Sequence, residues 1–97
     1  MWVDDTKLAV LQAVADRLND IRQLTREASA LEGLRAKPRW EERFGGPSGV
    51  ALFWATVSQL VDEGLLRRET HKKTGEPLVG LEEDAVKVEG LDVDCLL

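Results

Sequence analysis

Apolar residues recur at helical spacing in two stripes near the start of the chain. The first stripe contains Leu8, Leu11, Ala15 and Leu18, and the second contains Ile21, Leu24, Ala28 and Leu31. Apolar positions three and four apart place one hydrophobic face on a helix. Asn19 and Asp20 are suited to turn the chain between the stripes, so the pattern favours two helices. No Gly or Pro separates them, and one long helix over residues 6–31 stays open as an alternative.

The strongest helical stripe follows an irregular loop over residues 35–49. This stripe contains Val50, Phe53, Trp54, Val57, Leu60 and Val61. Ser48 is a good N-cap for the helix, and Gly64 stands where a left-handed C-terminal cap belongs, with Leu65 as its apolar follower. The sequence therefore predicts a helix from Ser48 to Glu63.

After Gly64 the period of the apolar residues changes from helical to extended. Residues 65–70 and 77–81 are typical of strands, and the polar residues 71–76 between them include Gly75, which predicts a β-hairpin. Further along, Leu91, Val93, Cys95 and Leu97 alternate with polar residues. This alternation predicts that residues 82–97 add an acidic β extension, as one strand or a hairpin.

Composition indicates one globular domain over residues 1–97, with 43% hydrophobic and 32% charged residues. No apolar run approaches the roughly 20 residues of a membrane span. The residues Met1–Asp5 are acidic where a signal peptide is basic and then apolar. Cys95 is the single cysteine, as in proteins of reducing compartments. We therefore expect a cytoplasmic location.

Charge is unevenly distributed along the chain, whose net charge is -5. The acidic excess lies in residues 81–97, which contain six acidic residues and only one basic residue, Lys87. Residues 35–46 and 67–80 are both mildly basic. Two basic loops and an acidic tail bear on the choice of partner, but not on the fold.

Helices followed by a helix ending in Gly-Leu, and then a hairpin with a basic tip, follow the winged-helix order. The segment Leu60-Val61-Asp62-Glu63-Gly64-Leu65-Leu66-Arg67-Arg68, continued by residues 73–81, resembles the recognition-helix-plus-wing region of bacterial and archaeal winged-helix regulators. The resemblance covers roughly residues 6–81. It implies an α+β winged helix with two or three N-terminal helices, a β-hairpin wing and, outside the family pattern, the C-terminal strand or hairpin.

The resemblance implies a DNA-binding or transcription-regulatory protein. In that family the helix before the wing enters the major groove, and basic residues of the wing hold backbone phosphate. The candidate contacts to nucleic acid are Arg67, Arg68, Lys72 and Lys73 in the wing, Arg39 and Arg43 in the loop before the helix, and Ser58 and Gln59 on the helix. The basic wing has a second interpretation, as a solvated hairpin tip that protects a strand edge.

The helix of residues 48–63 departs from a DNA reader because it contains no Lys or Arg, and its first half is strongly apolar. Phosphate neutralisation needs several cations on one face. The alternative is therefore a winged-helix protein-interaction module, or a small inhibitor or adaptor, that does not bind DNA. Its candidate interface residues are Trp54, Phe53, Trp40, Leu91 and Val93. Phe53 and Trp54 are adjacent, so we expect one in the core and the other exposed.

The wing and the prevalence of DNA binding in this fold rank the nucleic-acid function first. The strand edge expected in residues 91–97 also suggests a homodimer formed by strand pairing. His71 is a lone histidine, and the acidic residues lack calcium-loop spacing. The Gly-Gly-Pro-Ser-Gly run before the helix has no preceding strand and lacks the Lys-Ser/Thr pair of a phosphate loop. We expect neither a cofactor, nor a metal, nor enzymatic activity.

Overall fold

Four α-helices and a three-stranded antiparallel sheet make up the computed structural model, which describes all 97 residues. The helices are α1 (Asp5–Ala15), α2 (Glu27–Arg35), α3 (Glu41–Phe44) and α4 (Pro47–Asp62), and the strands are β1 (Thr25–Arg26), β2 (Leu66–Thr70) and β3 (Pro77–Leu81). The predicted α+β class is confirmed. None of the helices has the length and apolar content that crossing a lipid bilayer requires.

The region of the first two apolar stripes contains two separate helices, as favoured, but α1 ends at Ala15 and α2 begins only at Glu27, later than predicted. The Asp20 side chain accepts the Arg22 N–H at 2.8 Å, and the Gln23 side chain accepts the Asn19 N–H at 2.8 Å. Such side-chain acceptors offer the backbone a turn in place of a helix. Residues 21–26 are therefore not helical, and the start of the predicted second helix is wrong.

The predicted long helix is confirmed as α4, although its N-cap is Gly46 and not Ser48. Pro47 occupies the first turn, where a missing N–H costs nothing. At the other end Gly64 has a φ of +77°, and the Leu65 N–H donates to the Leu60 carbonyl at 2.9 Å. The left-handed cap expected at Gly64 is therefore confirmed.

The predicted hairpin is confirmed as β2 and β3, with Arg67 opposite Gly80 and Arg68 opposite Val79. Strand β1 pairs with the other edge of β3, which gives the sheet order β1-β3-β2. The sequence pattern missed β1, because a strand of two residues has no period to detect. Its pairing brings the start of α2 against the hairpin.

The core lies between α1, α2, α4 and the inner face of the sheet. The largest fully buried side chains come from all four helices, from β2 and β3 and from the turn before β2: Val10, Leu11, Val14, Leu34, Phe44, Phe53, Val57, Leu60, Leu65, Leu66, Val79 and Leu81. Burial of this apolar surface supplies most of the folding free energy. The shared core joins all four helices to the sheet.

The C-terminal β extension predicted for residues 82–97 is wrong. This segment forms two short 3-10 helices, Glu83–Lys87 and Asp94–Leu96, and contains no strand. Its main chain bonds to α1, because the Gln12 side-chain amide donates to the Asp92 carbonyl at 3.0 Å and accepts the Asp92 N–H at 2.9 Å. Turn bonds and side-chain bonds thus replace sheet pairing.

The observed structure of the C-terminal segment also bears on two of the proposed interface residues. Val93 is buried against the core, and Leu91 is half-buried. Ala85, Val88, Val93 and Leu96 of this segment therefore cover the chain's own core, and the segment forms no free strand edge. The homodimer by strand pairing that we expected here loses its basis.

Candidate functional site

The tip of the hairpin is organised by His71. Its Nδ1 atom lies 3.2 Å from both the Lys73 and the Thr74 backbone nitrogens and accepts their N–H groups. Lys72 and Lys73 are exposed beside it, and neither forms an ion pair within the chain. The tip therefore presents two available cations. The chain holds no group of three side chains placed to bind a metal ion.

The Arg68 side chain bonds to other residues of the chain. Its Nη2 atom lies 2.7 Å from Oε1 of Glu27, whose side chain is only 3% exposed, and its Nε atom lies 3.1 Å from the same oxygen. Nη1 donates to the Ser58 hydroxyl at 3.3 Å. This guanidinium therefore connects β2 to the start of α2 and to α4, and its removal would leave a buried carboxylate without a partner.

Arg67 also turns inward, on the opposite face of β2. Its guanidinium passes over Gly80, donates to the Leu81 carbonyl at 3.4 Å and also bonds to the Arg22 carbonyl. A Cβ atom on Gly80 would lie 3.3 Å from Arg67 Nε and 2.8 Å from the Gln23 carbonyl oxygen. The two arginines expected in the wing thus hold the fold together.

The basic region before α4, predicted as a loop, contains the short helix α3, and its Arg39 and Arg43 side chains also bond to other residues of the chain. Arg39 bonds to Asp5 at 3.1 Å, and Arg43 bonds to the Thr6 hydroxyl at 2.9 Å. Both guanidiniums lie against the indole of Trp40, 4.9 and 5.3 Å from the ring centre. Trp40 is half-buried, so its side chain covers the core between the two arginines and is not a free anchor.

The exposed face of α4 carries one large side chain, Trp54, which is 56% exposed. Around it lie the exposed residues Ala51, Ala55, Ser58 and Gln59. No residue from 47 to 61 is charged. We call this uncharged surface the α4 face.

Phe53, the neighbour of Trp54, was a candidate interface residue and is fully buried. Successive residues on a helix point about 100° apart, so only one of the two aromatic rings can face the core. The expected division of the pair is confirmed, and Phe53 as an interface residue is wrong.

A groove of about 200 Å³ runs beside Trp54, between α2, α4 and the start of β3. Its apolar walls are Ala28 and Leu31 from α2, Val50 and Trp54 from α4, and Pro77 from β3. Arg26, Glu27 and Glu76 complete the lining. Sequence patterns assigned its aliphatic members to helix stripes, but only the tertiary structure brings them to one groove.

One side chain has a perturbed pKa. The hydrogen bond from Lys7 to the Glu63 carboxylate raises the pKa of the Lys7 ammonium above its ordinary value. This exposed contact joins the first turn of α1 to the end of α4. It lies outside the groove, so it has a structural role and no role in the candidate site.

Comparison of the chain with protein-family models, with curated proteins and with solved structures finds no match. Function is therefore inferred from the α4 face, the groove and the available charges.

Proposed function

We propose that the chain is a winged-helix domain that binds another protein through the α4 face, as a small adaptor or inhibitor that does not require DNA. Support for the winged-helix assignment comes from the element order, in which helices precede α4 and the β2–β3 hairpin follows its Gly-Leu end. The unpaired, exposed thiol of Cys95 supports a reducing, cytoplasmic setting.

The observation that carries this proposal is the exposure of Trp54 on an uncharged surface. Tryptophan is enriched among the side chains that dominate protein–protein binding, and an exposed apolar patch marks an interaction site. The neighbours Ala51 and Ala55 are small and cover little of the indole, which is 56% exposed and available to a partner. The adjoining groove extends the apolar surface from α4 to α2.

The internal contacts of the arginines favour a protein partner over DNA. Arg68 forms an ion pair with a buried carboxylate, and Arg67 donates hydrogen bonds to backbone carbonyls. Arg39 and Arg43 are each bonded to α1. Arg67 and Arg68 would give up several of these bonds to reach a phosphate, which lowers the net gain in affinity. Arg39 and Arg43 each make one exposed contact, which is a weaker restraint.

The test is a pull-down, in which the tagged chain and two matched variants are compared for the proteins that they retain from extracts of the cells that produce the chain. Trp54→Ser removes the exposed indole of the α4 face, and Trp2→Ser removes another exposed indole outside the groove. We expect a protein that is retained by the wild type and by Trp2→Ser and is lost by Trp54→Ser. Equal retention by all three chains would contradict the proposal.

A second candidate function is binding of nucleic-acid backbone through the hairpin tip, and Lys72 and Lys73 favour it because both are exposed without an ion-pair partner. It is tested by fluorescence anisotropy on a labelled random duplex at about 50 and about 200 mM salt. Binding that weakens steeply with salt and is lost in Lys72→Ala/Lys73→Ala supports this function. The absence of binding at the lower salt rejects it.

A further inference from the structure

The groove beside Trp54 has the size of one aromatic ring. An apolar cavity of roughly 150 Å³ holds a benzene molecule, and this groove measures about 200 Å³. Ala28 and Leu31 of α2 form one wall, and Val50 of α4 forms the other together with the inner side of the Trp54 indole. Pro77 of β3 closes one end. A flat apolar side chain that enters from outside is therefore its natural occupant.

The same face presents one such side chain. The indole of Trp54 is 56% exposed and borders the groove, so a protruding ring and a ring-sized recess lie side by side on one surface. In a two-fold symmetric dimer the same patch faces itself, and each copy's projection meets the other copy's recess. This juxtaposition is the arrangement that self-association about a two-fold axis requires.

The charges around the groove also fit a second copy. Arg26 is paired with Glu76 at 2.9 Å, and Glu27 with Arg68 at 2.7 Å, so the charged lining is neutralised within the chain. The acidic residues of the segment 82–97 do not line the groove. A strongly charged partner therefore gains little here, whereas an uncharged face such as the α4 face is complementary.

We propose that two copies of this chain associate through their α4 faces about a two-fold axis, with each copy's Trp54 indole in the other copy's groove. This inference rests on the proposed function of the α4 face and names the partner as the chain itself. It differs from strand pairing through the C-terminal segment, which the structure does not support. It also removes the α4 face from contact with a DNA groove.

Sedimentation from low micromolar to near-millimolar concentration tests the dimer. Three variants are compared with the wild type: Trp54→Ser, Ala28→Lys, which places a charge in the groove at an exposed helical position, and the control Trp2→Ser. We expect concentration-dependent dimers of the wild type and of Trp2→Ser. Each of the other two variants raises the dissociation constant roughly 30-fold or more. Unchanged far-UV circular dichroism establishes that these variants are folded.

A second readout follows the three indole N–H signals in nuclear magnetic resonance spectra. On dilution the Trp54 signal, assigned by its loss in Trp54→Ser, moves because its environment changes from buried to exposed. We expect the signals of Trp2 and Trp40 to stay in place.

A wild type that is monomeric at every concentration overturns the dimer, and so does a dimer that survives both Trp54→Ser and Ala28→Lys. The proposed function is decided separately. If a monomeric chain binds a different protein through Trp54, the proposed protein-binding function is supported, and the proposal that the partner is a second copy is wrong. If it binds duplex DNA through Trp54, both are overturned.

Discussion

Arg68 of β2 and Glu27 of α2 form an ion pair with a buried carboxylate and a partly exposed guanidinium, in which two guanidinium nitrogens lie 2.7 and 3.1 Å from one carboxylate oxygen. Glu27 also lines the groove beside Trp54. The arginine that the sequence places on a phosphate-binding wing therefore fixes α2 against the hairpin, and so shapes the surface that we propose as the binding site.

Breaking this pair should destabilise the fold strongly. Arg68→Leu leaves the Glu27 carboxylate buried and unpaired, and we expect a loss of about 2–4 kcal/mol in the free energy of unfolding. Arg26→Leu is the matched control, because its pair with Glu76 is exposed on both sides and is worth less than about 1 kcal/mol. Urea unfolding measures both. The double variant Glu27→Leu/Arg68→Leu should recover part of the loss. If Arg68→Leu left the free energy of unfolding unchanged, the arginine would have no structural role.

The adjacent aromatic residues of α4 should respond in opposite ways to truncation. Phe53→Ala removes a fully buried ring and should cost about 3–5 kcal/mol in the free energy of unfolding. Trp54→Ala removes an exposed ring and should change the stability of the monomer by no more than about 0.5 kcal/mol. Chemical denaturation of dilute protein measures this difference. Similar losses for the two variants would mean that Trp54 belongs to the core.

Gly80 should not tolerate a side chain. A Cβ atom there would lie 2.8 Å from the Gln23 carbonyl oxygen, so Gly80→Ala should cost about 1–3 kcal/mol as strands or loop shift. Gly33 within α2 is the control, because its added Cβ would meet only the movable end of the Arg17 side chain. Thermal unfolding should show a loss for Gly80→Ala and none for Gly33→Ala, which gains helix propensity. Equal midpoints would contradict the close approach at Gly80.

Gln12 should control how tightly the C-terminal segment adheres to α1. Gln12→Ala removes both side-chain hydrogen bonds to the Asp92 backbone. The N–H and carbonyl groups of Asp92 then bond to water instead. Amide hydrogen exchange should accelerate at Asp92, while buried amides of α4 such as Leu60 keep their protection. If exchange at Asp92 were unchanged, another contact would be holding the segment.

Sequence periodicity located the elements whose faces are long enough to repeat. It placed α4 and its Gly64 cap and both strands of the hairpin, because each follows one clear period and ends at a glycine or a polar turn. It failed for β1, whose two residues are strand only because β3 pairs with them. It also failed for residues 82–97, whose alternation was overridden by packing on α1 and by bonds to Gln12.

The site was only partly visible in the sequence. The uncharged α4 helix and the division between Phe53 and Trp54 followed from residue types and spacing. The internal use of Arg67 and Arg68 did not, since a basic residue in a hairpin has the same appearance in sequence whether it contacts solvent or a distant carboxylate. The groove depends on the relative placement of α2, α4 and β3, which no local pattern encodes.

Site-specific photo-crosslinking shows whether a partner protein contacts the α4 face. A photoreactive residue is introduced at Ala55, on the α4 face, and in a separate chain at Glu83, which is exposed in the C-terminal segment. We expect a covalent adduct with a protein from position 55, lost when Trp54 is changed to Ser, and no comparable adduct from position 83. No protein adduct at position 55, or equal adducts at both positions, would contradict it.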